Sequence, residues 1–506
     1  MTDVSSLLAF TAKKRYLIPL LAFFLPLAVR IIPEVLVGPY IVGFDTMGFY
    51  VPNTLAWLHG GIELWNYLAV APLFYVLLMS LVTAGIPIIM ALKILPPLLL
   101  GLLGLVIYYY AHKGLGWSPI KSLAPALLGT IYFVALRISW DMLRSELGVI
   151  FLFVVLTLLT QIKTGSWKQY FILSLAMMAV VLSHQLVAVI LLAVVAFTVI
   201  RDLFQKKFHQ SLVLITVVFP AAVFAIVVHF FAVVPVGFQD YATSGESPLA
   251  NWLGFPSYSA MLLSEAGFLL FCFLPLLPLV VFGFKRLGDF QLRCWLISSL
   301  ILLLIPLAFV SPYRWLLLLI YPFAFFATES VSRLKAIKWK RFKLTVQRIV
   351  IFYLILSTCI LSFGYVFSPP ERPFIYFSPQ YLNIYSYQIP TSMQQNTISV
   401  ADFQGTINAL QWFEENKNAS DLLLTHTAFY GWALLVLNDD EIRSYEFGDP
   451  VSAASLVVQE GYTQVFLIWW IDGAGWYAQS SVSSVFQEVY KSERIAIYFY
   501  DLETIA

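Results

Sequence analysis

Apolar runs long enough to cross a lipid bilayer recur along most of this chain, and they constrain it more than any other feature. Val187–Ile200 and Ile301–Leu307 sit inside longer apolar stretches that reach or approach the roughly 20 residues needed to span hydrocarbon. Only 11% of the residues are charged and the mean hydropathy is +0.83. A soluble domain carries roughly a quarter charged residues, so most of this chain must face lipid. No small-residue cleavage site follows Tyr16–Val29, and that run reads as a retained first helix.

Charge divides the chain in two. Residues 1–368 carry 25 Lys and Arg against 12 Asp and Glu, whereas residues 369–506 carry 5 against 16. A part at +13 and a tail at −11 are physically distinct units. The three cysteines, Cys272, Cys294 and Cys359, fall in apolar runs and the tail has none, which excludes a disulfide framework or a cysteine-based metal site.

Sidedness follows from the basic residues. Lys13, Lys14 and Arg15 precede the first apolar run, which places the N-terminus in the cytoplasm. Residues 72–90 and 92–111 are both apolar enough to cross. If 72–90 instead lies in the outer interface, the crossings fall near 16–32, 92–111, 119–137, 147–162, 169–183, 186–200, 211–232, 261–284, 294–310, 315–330 and 349–368. That arrangement puts 20 of the 30 basic residues on the cytoplasmic side, including the cluster from Arg333 to Arg348, and the opposite one reverses the bias. The cluster reads as a topology signal and an anionic-lipid contact, not as a nucleic-acid site.

The expectation is a polytopic α-helical membrane protein of about eleven crossings, with the tail on the extracytoplasmic face. Its units are a transmembrane domain over 1–368, an interfacial linker over 369–401 and an α/β domain over 402–506. Pro369, Pro370 and Pro373 mark the boundary, and Tyr376, Tyr381, Tyr385 and Tyr387 suit an aromatic belt. In the tail, helices to Asn416, at Phe429–Leu437 and at Val451–Glu460 alternate with strands at Asp421–Thr425, Ile442–Tyr445 and Thr463–Trp470. A glycosylation sequon, Asn418-Ala419-Ser420, falls in the same unit.

Ionisable side chains at membrane depth are costly, so each needs a reason. In this topology Asp45, Arg137, Asp141, Arg144, Glu146, His184 and Arg314 all end at the outer face, and that convergence is the main functional signal. Asp45, in Gly43-Phe44-Asp45-Thr46-Met47-Gly48-Phe49-Tyr50, is either a helix cap or a carboxylate whose dehydrated setting makes it a general base near neutral pH. Asp141 is spaced for intrahelical pairing with Arg137 and Arg144, or else for orienting an acceptor or supporting a metal. His184, in Ser183-His184-Gln185, interrupts two apolar helices as a structural hydrogen-bonder or a ligand. Arg314, in Ser311-Pro312-Tyr313-Arg314-Trp315, suits a lipid phosphate or simple snorkelling to headgroups. The chain has no Gly-rich phosphate loop, no His-Glu-x-x-His zinc motif and no Gly-x-Ser-x-Gly elbow.

The layout resembles the GT-C superfamily of polytopic glycosyltransferases, especially protein O-mannosyltransferases, lipid A aminoarabinose transferases and similar archaeal enzymes. The shared features are the long first outer loop with its early Asp45, a membrane-parallel segment near Pro72, and the acidic site at Asp141. Residues Arg137 to Gly148, Ser183-His184 and Tyr313-Arg314 match short family elements. The resemblance implies a donor sugar on a polyprenyl phosphate or pyrophosphate (dolichol phosphate among them), and a lipid, glycan or protein acceptor. It implies an inverting single displacement with Asp45 as base, and Arg314, Tyr313, Arg144 or Lys93 at the donor phosphate. It brings no certain cofactor and leaves a divalent metal open. The sequence departs from the family in Val70-Ala71-Pro72-Leu73, which lacks charge, and in Trp469-Trp470-Ile471-Asp472-Gly473, whose tryptophans read as packing. The rival readings are a secondary transporter, or a non-catalytic polysaccharide-assembly protein.

Overall fold

The computed structural model describes residues 4–61, 64–161, 166–231, 257–304, 312–334, 346–445, 450–462, 464–471 and 482–500. The long N-terminal helix α1 (Val4–Leu36) leads into a segment of three short helices, α2 (Val51–His59), α3 (Leu64–Ala69) and α4 (Leu73–Thr83). The helices α5 (Ile88–Tyr109), α6 (Pro119–Ile131), α7 (Phe133–Asp141), α8 (Leu143–Gln161), α9 (Trp167–Ser183), α10 (Gln185–Phe204) and α11 (Phe208–Phe231) follow. Beyond them come α12 (Tyr258–Phe273), α13 (Leu277–Arg286), α14 (Phe290–Leu304), α15 (Pro312–Leu318), α16 (Ile320–Arg333) and α17 (Val346–Phe367).

Among the described residues, seven helices are long and apolar enough to cross a bilayer, and nine if each of two bent pairs is one crossing. The bent pairs are α6 with α7, turning by 56°, and α12 with α13, turning by 90°. Apolar helices α9 and α14, of 17 and 15 residues, occupy the places of the two other expected crossings. The chain is a multi-pass membrane protein. Helix α4 has only 11 residues, too few to span hydrocarbon, in keeping with the surface segment expected there.

Close packing without a hydrophobic drive requires small residues. On α5, a methyl group at Gly104 would overlap the Ala22 carbonyl of α1, and Gly101 faces Phe23 in the same seam. The ends that carry basic loops also meet each other. Glu329 pairs with Lys121 and, at 2.8 Å, with Arg333; Tyr110 bonds Asp289 at 3.0 Å, and Arg201 lies over the Phe290 ring.

The tail builds a five-stranded sheet from β1 (Asp421–His426), β2 (Ile442–Tyr445), β3 (Gln464–Trp470), β4 (Phe486–Ser492) and β5 (Ile495–Tyr500), in the order β2-β1-β3-β5-β4. Strands β2, β1 and β3 are parallel, joined through short helices Thr427–Ala433 and Pro450–Gln459, and the β4–β5 hairpin extends β3 antiparallel. The first three strands and their helices are where the hydropathy alternation put them. The final hairpin went unread. Trp469 and Trp470 are buried in the sheet core, with Trp470 Nε1 donating to Asp402 at 3.0 Å; Asp472 and Gly473 lie outside the described residues.

Residues 369–401 do more than link. Tyr385 donates to the Ser264 carbonyl at 3.2 Å and Tyr376 bonds the Phe271 carbonyl, so this segment packs on α12. Tyr381 and Tyr387 are exposed. Farther on, Met393 N donates to the Tyr365 carbonyl at 2.9 Å, and the chain crosses over the C-terminal ends of α1 and α7.

Candidate active site

The turn after α1 sets the first side chain. Gly43 has φ +99, a conformation open to glycine, and a methyl group there would strike the Trp140 carbonyl of α7. The turn therefore lies against the end of α7, and its Gly43 N–H donates to the Gln395 carbonyl at 2.9 Å. Asp45 follows immediately. It precedes the π-helical turn Thr46–Tyr50 that opens α2, yet its side chain makes no capping bond. Thr46 takes the local backbone instead, donating to the Val42 carbonyl at 2.8 Å. Asp45 is half-buried and accepts no hydrogen bond among the described residues. The capping alternative fails, and the carboxylate is left among other charges.

Those charges come from the break between α7 and α8. At Met142 the backbone leaves the helix (φ −91, ψ 49), so α7 ends on Asp141 and α8 starts at Leu143. The expected crossing boundaries, 137 and 147, straddle this break; the chain turns within them with neither Pro nor Gly. Arg137 pairs with Asp141 one helical turn on, and its Nε donates to the Gln388 carbonyl at 2.6 Å. Intrahelical pairing is thus real for Arg137. It does not extend to Arg144, whose guanidinium bonds the Val70 carbonyl and lies over the Tyr75 ring at 5.8 Å. The uncharged Val70-Ala71 connector, where Ala71 has φ +56, is held by Arg144 and by Gln185 Nε2, which donates to the Ala69 carbonyl at 2.7 Å.

Two tyrosines line the same space. The Tyr50 hydroxyl donates to the Asp141 carbonyl at 3.1 Å and accepts from Arg144 N at 3.4 Å, which bridges the helix break. Asn53 Nδ2 donates to the Tyr75 hydroxyl at 3.0 Å. Tyr50 closes the motif that begins at Gly43, but sequence gave no signal for its role, because its partner lies 91 residues away.

Asp45 feels all of this. Burial away from water lifts its carboxyl from an ordinary 3.8 to about 7, with the Asp141 carboxylate adding to the rise and Arg314, Arg137 and Arg144 opposing it. Arg314 on α15 is exposed and makes no hydrogen bond or ion pair among the described residues. Beside it, Tyr313 bonds the Ser264 hydroxyl at 3.0 Å and stacks edge-on to Phe268. Asp45, Asp141, Arg137, Arg144 and Arg314 therefore gather at one site from three separate stretches of chain.

Other candidates sit apart. His184 is buried at the start of α10, where its Nδ1 accepts from Leu186 N at 3.2 Å, the structural alternative. Lys93, expected at the donor phosphate, donates to the carbonyls of Glu34, Gly38 and Tyr40 at 2.8, 2.7 and 2.6 Å, and does not act on Asp45. Glu146 is fully buried one turn into α8, in the field of Arg30 and Ser139 and not of Asp45. Among the described residues no three His, Cys, Asp or Glu side chains converge as metal ligands.

The tail closes over this site. Trp140 Nε1 donates to the Gln395 carbonyl at 3.1 Å, and Asn396 Nδ2 to the Ile41 carbonyl at 2.8 Å. Tyr40 stacks on Trp432 with ring centroids 5.4 Å apart, and Gly431 touches the Met47 carbonyl so closely that no side chain fits.

No protein-family model matches the sequence, and no curated protein matches it. Eleven solved chains match in structure. One is ArnT from Cupriavidus metallidurans, solved bound to undecaprenyl phosphate, with a TM-score of 0.51 over 99% of each chain and 11% identity. The chain has the GT-C fold that the sequence resemblance implied.

Proposed function

We propose that this chain is a membrane glycosyltransferase that moves a sugar from a polyprenyl-phosphate or pyrophosphate carrier to a lipid, glycan or protein acceptor on the extracytoplasmic face. The observation that carries the reading is Asp45: a half-buried carboxylate, free of hydrogen bonds among the described residues, held near neutral pKa beside three guanidinium groups. The fold shared with ArnT, a structure holding undecaprenyl phosphate, supports the class of donor.

In this reading Asp45 takes the proton from the acceptor hydroxyl as that oxygen bonds the anomeric carbon. The bond from that carbon to the phosphate oxygen breaks with its electron pair, polyprenyl phosphate departs, and the configuration inverts. Arg314, exposed and unpaired among the described residues, and Arg144 neutralise the charge that develops on the phosphate. Tyr313 lines the approach to Arg314. Asp141, oriented by Arg137, raises the basicity of Asp45 and orients the acceptor. The N-terminus is cytoplasmic and the tail, closing over the Asp45 turn, contacts the acceptor.

A transporter would place its polar groups near the midplane between repeats. Here they sit at the junction of helix ends with the tail. Asp45→Asn is the test. Transfer from a radiolabelled polyprenyl-phosphate sugar should vanish while the purified variant still unfolds cooperatively, melting no lower than the parent. Undiminished transfer would remove Asp45 as the base.

A further inference from the structure

Two segments carry the site's carboxylates, the turn after α1 and the end of α7, and one buried charge assembly grips both. Arg30 on α1 is fully buried; its Nη1 bonds Glu34 at 2.8 Å and its Nε donates to the Ser139 carbonyl at 3.1 Å, two residues before Asp141. Glu34 also faces Lys93 Nζ at 3.6 Å. Lys93 in turn holds the Glu34, Gly38 and Tyr40 carbonyls, which fixes the turn that runs on to Gly43 and Asp45. Glu146, buried one turn into α8, completes the group, with Arg30 and the Ser139 hydroxyl acting on its carboxyl.

Apolar side chains of similar volume would fill this space more cheaply than desolvated polar groups. A fork-shaped guanidinium and a three-donor ammonium do what they cannot: they tie specific carbonyls of one helix end to those of another. We infer that Arg30, Glu34, Lys93 and Glu146 are positioning residues that set the separation of Asp45 from Asp141. The inference rests on the reading of those two carboxylates as the working pair.

The test uses the full-length protein in nanodiscs carrying Lys93→Met, Glu146→Gln, Arg30→Met or Arg30→Lys, the last keeping the charge while losing the fork. The first measurement is the titration midpoint of Asp45 by carboxyl 13C resonance, assigned with Asp45→Asn. That midpoint is set first by burial and then by Asp141, Arg314, Arg137 and Arg144, with the hydroxyls of Tyr50 and Tyr75 in range. Each variant should lower it by at least about half a pH unit, because Asp141 moves away and water enters. The second measurement is transfer kinetics, with kcat falling about 10- to 100-fold and donor KM within about twofold of the parent. Arg30→Lys should recover part of the kcat lost in Arg30→Met. Folded variants whose Asp45 midpoint and kcat are unchanged would overturn the inference. If the parent transfers no sugar, the glycosyltransferase reading fails, and the 13C midpoint still decides the positioning role. A variant that does not fold is replaced by the charge-neutral pair Glu34→Gln with Lys93→Met, judged by the same midpoint.

Discussion

The hydroxyl of Tyr50 donates to the carbonyl of Asp141 across 91 residues of sequence, and in doing so it bridges a helix break that has no proline or glycine to explain it. The same oxygen accepts from the first free N–H of the next helix, at Arg144. Tyr50→Phe keeps the ring packed on Phe74 and Tyr75 and removes both bonds. The loss should be about 1 kcal/mol of stability, with kcat reduced several-fold because Asp141 and Arg144 are no longer indexed to each other. Thermal unfolding in detergent and steady-state transfer measure the two effects.

The pH profile should carry the signature of Asp45. A base protonated below about 7 gives a kcat/KM that falls tenfold per unit on the acid side and levels off above it. Stability should run the other way. The folded carboxyl lies above its ordinary 3.8, so the folded state binds the extra proton and loses stability as pH rises from about 4 to 7. Asp45→Asn should therefore melt above the parent at pH 8 and close to it at pH 4. Parallel melting curves at both values would contradict the assigned shift.

Arg314 pulls the Asp45 carboxyl down and, in the proposed mechanism, faces the leaving phosphate. Replacing it by Gln should raise the acid-limb midpoint and raise donor KM by about 10- to 100-fold, the worth of a hydrogen bond to a charged group. Arg314→Lys should keep the midpoint near the parent and recover only part of the donor affinity, since a point charge lacks the paired geometry. Kinetics at several pH values separate these outcomes.

The tail seats on the Asp45 turn through backbone contact, with Gly431 against the Met47 carbonyl and Tyr40 stacked on Trp432. Gly431→Leu should lift this contact, expose the 395–400 region to protease and reduce transfer at least tenfold, with the membrane helices intact by circular dichroism. Full activity in a variant cleaved there would show that docking of the tail is dispensable.

Hydropathy and charge bias are local properties, and what depends on them was legible from the chain alone: a multi-pass protein, an acidic tail and the tail's first three strands. The GT-C fold came through as a resemblance in short motifs. Tertiary packing decided which charges meet. Lys93 and Arg314 look alike in sequence, each a lone cation near an outer helix end, yet one is consumed by three carbonyls and the other stays open. Asp45 has a capper's position and does not cap; His184 has a ligand's look and does. Side chains far apart in the chain are matched only when helix ends, bends such as the 56° turn between α6 and α7, and the returning linker fix their distances. Those distances depend on long-range packing, which no window of sequence contains.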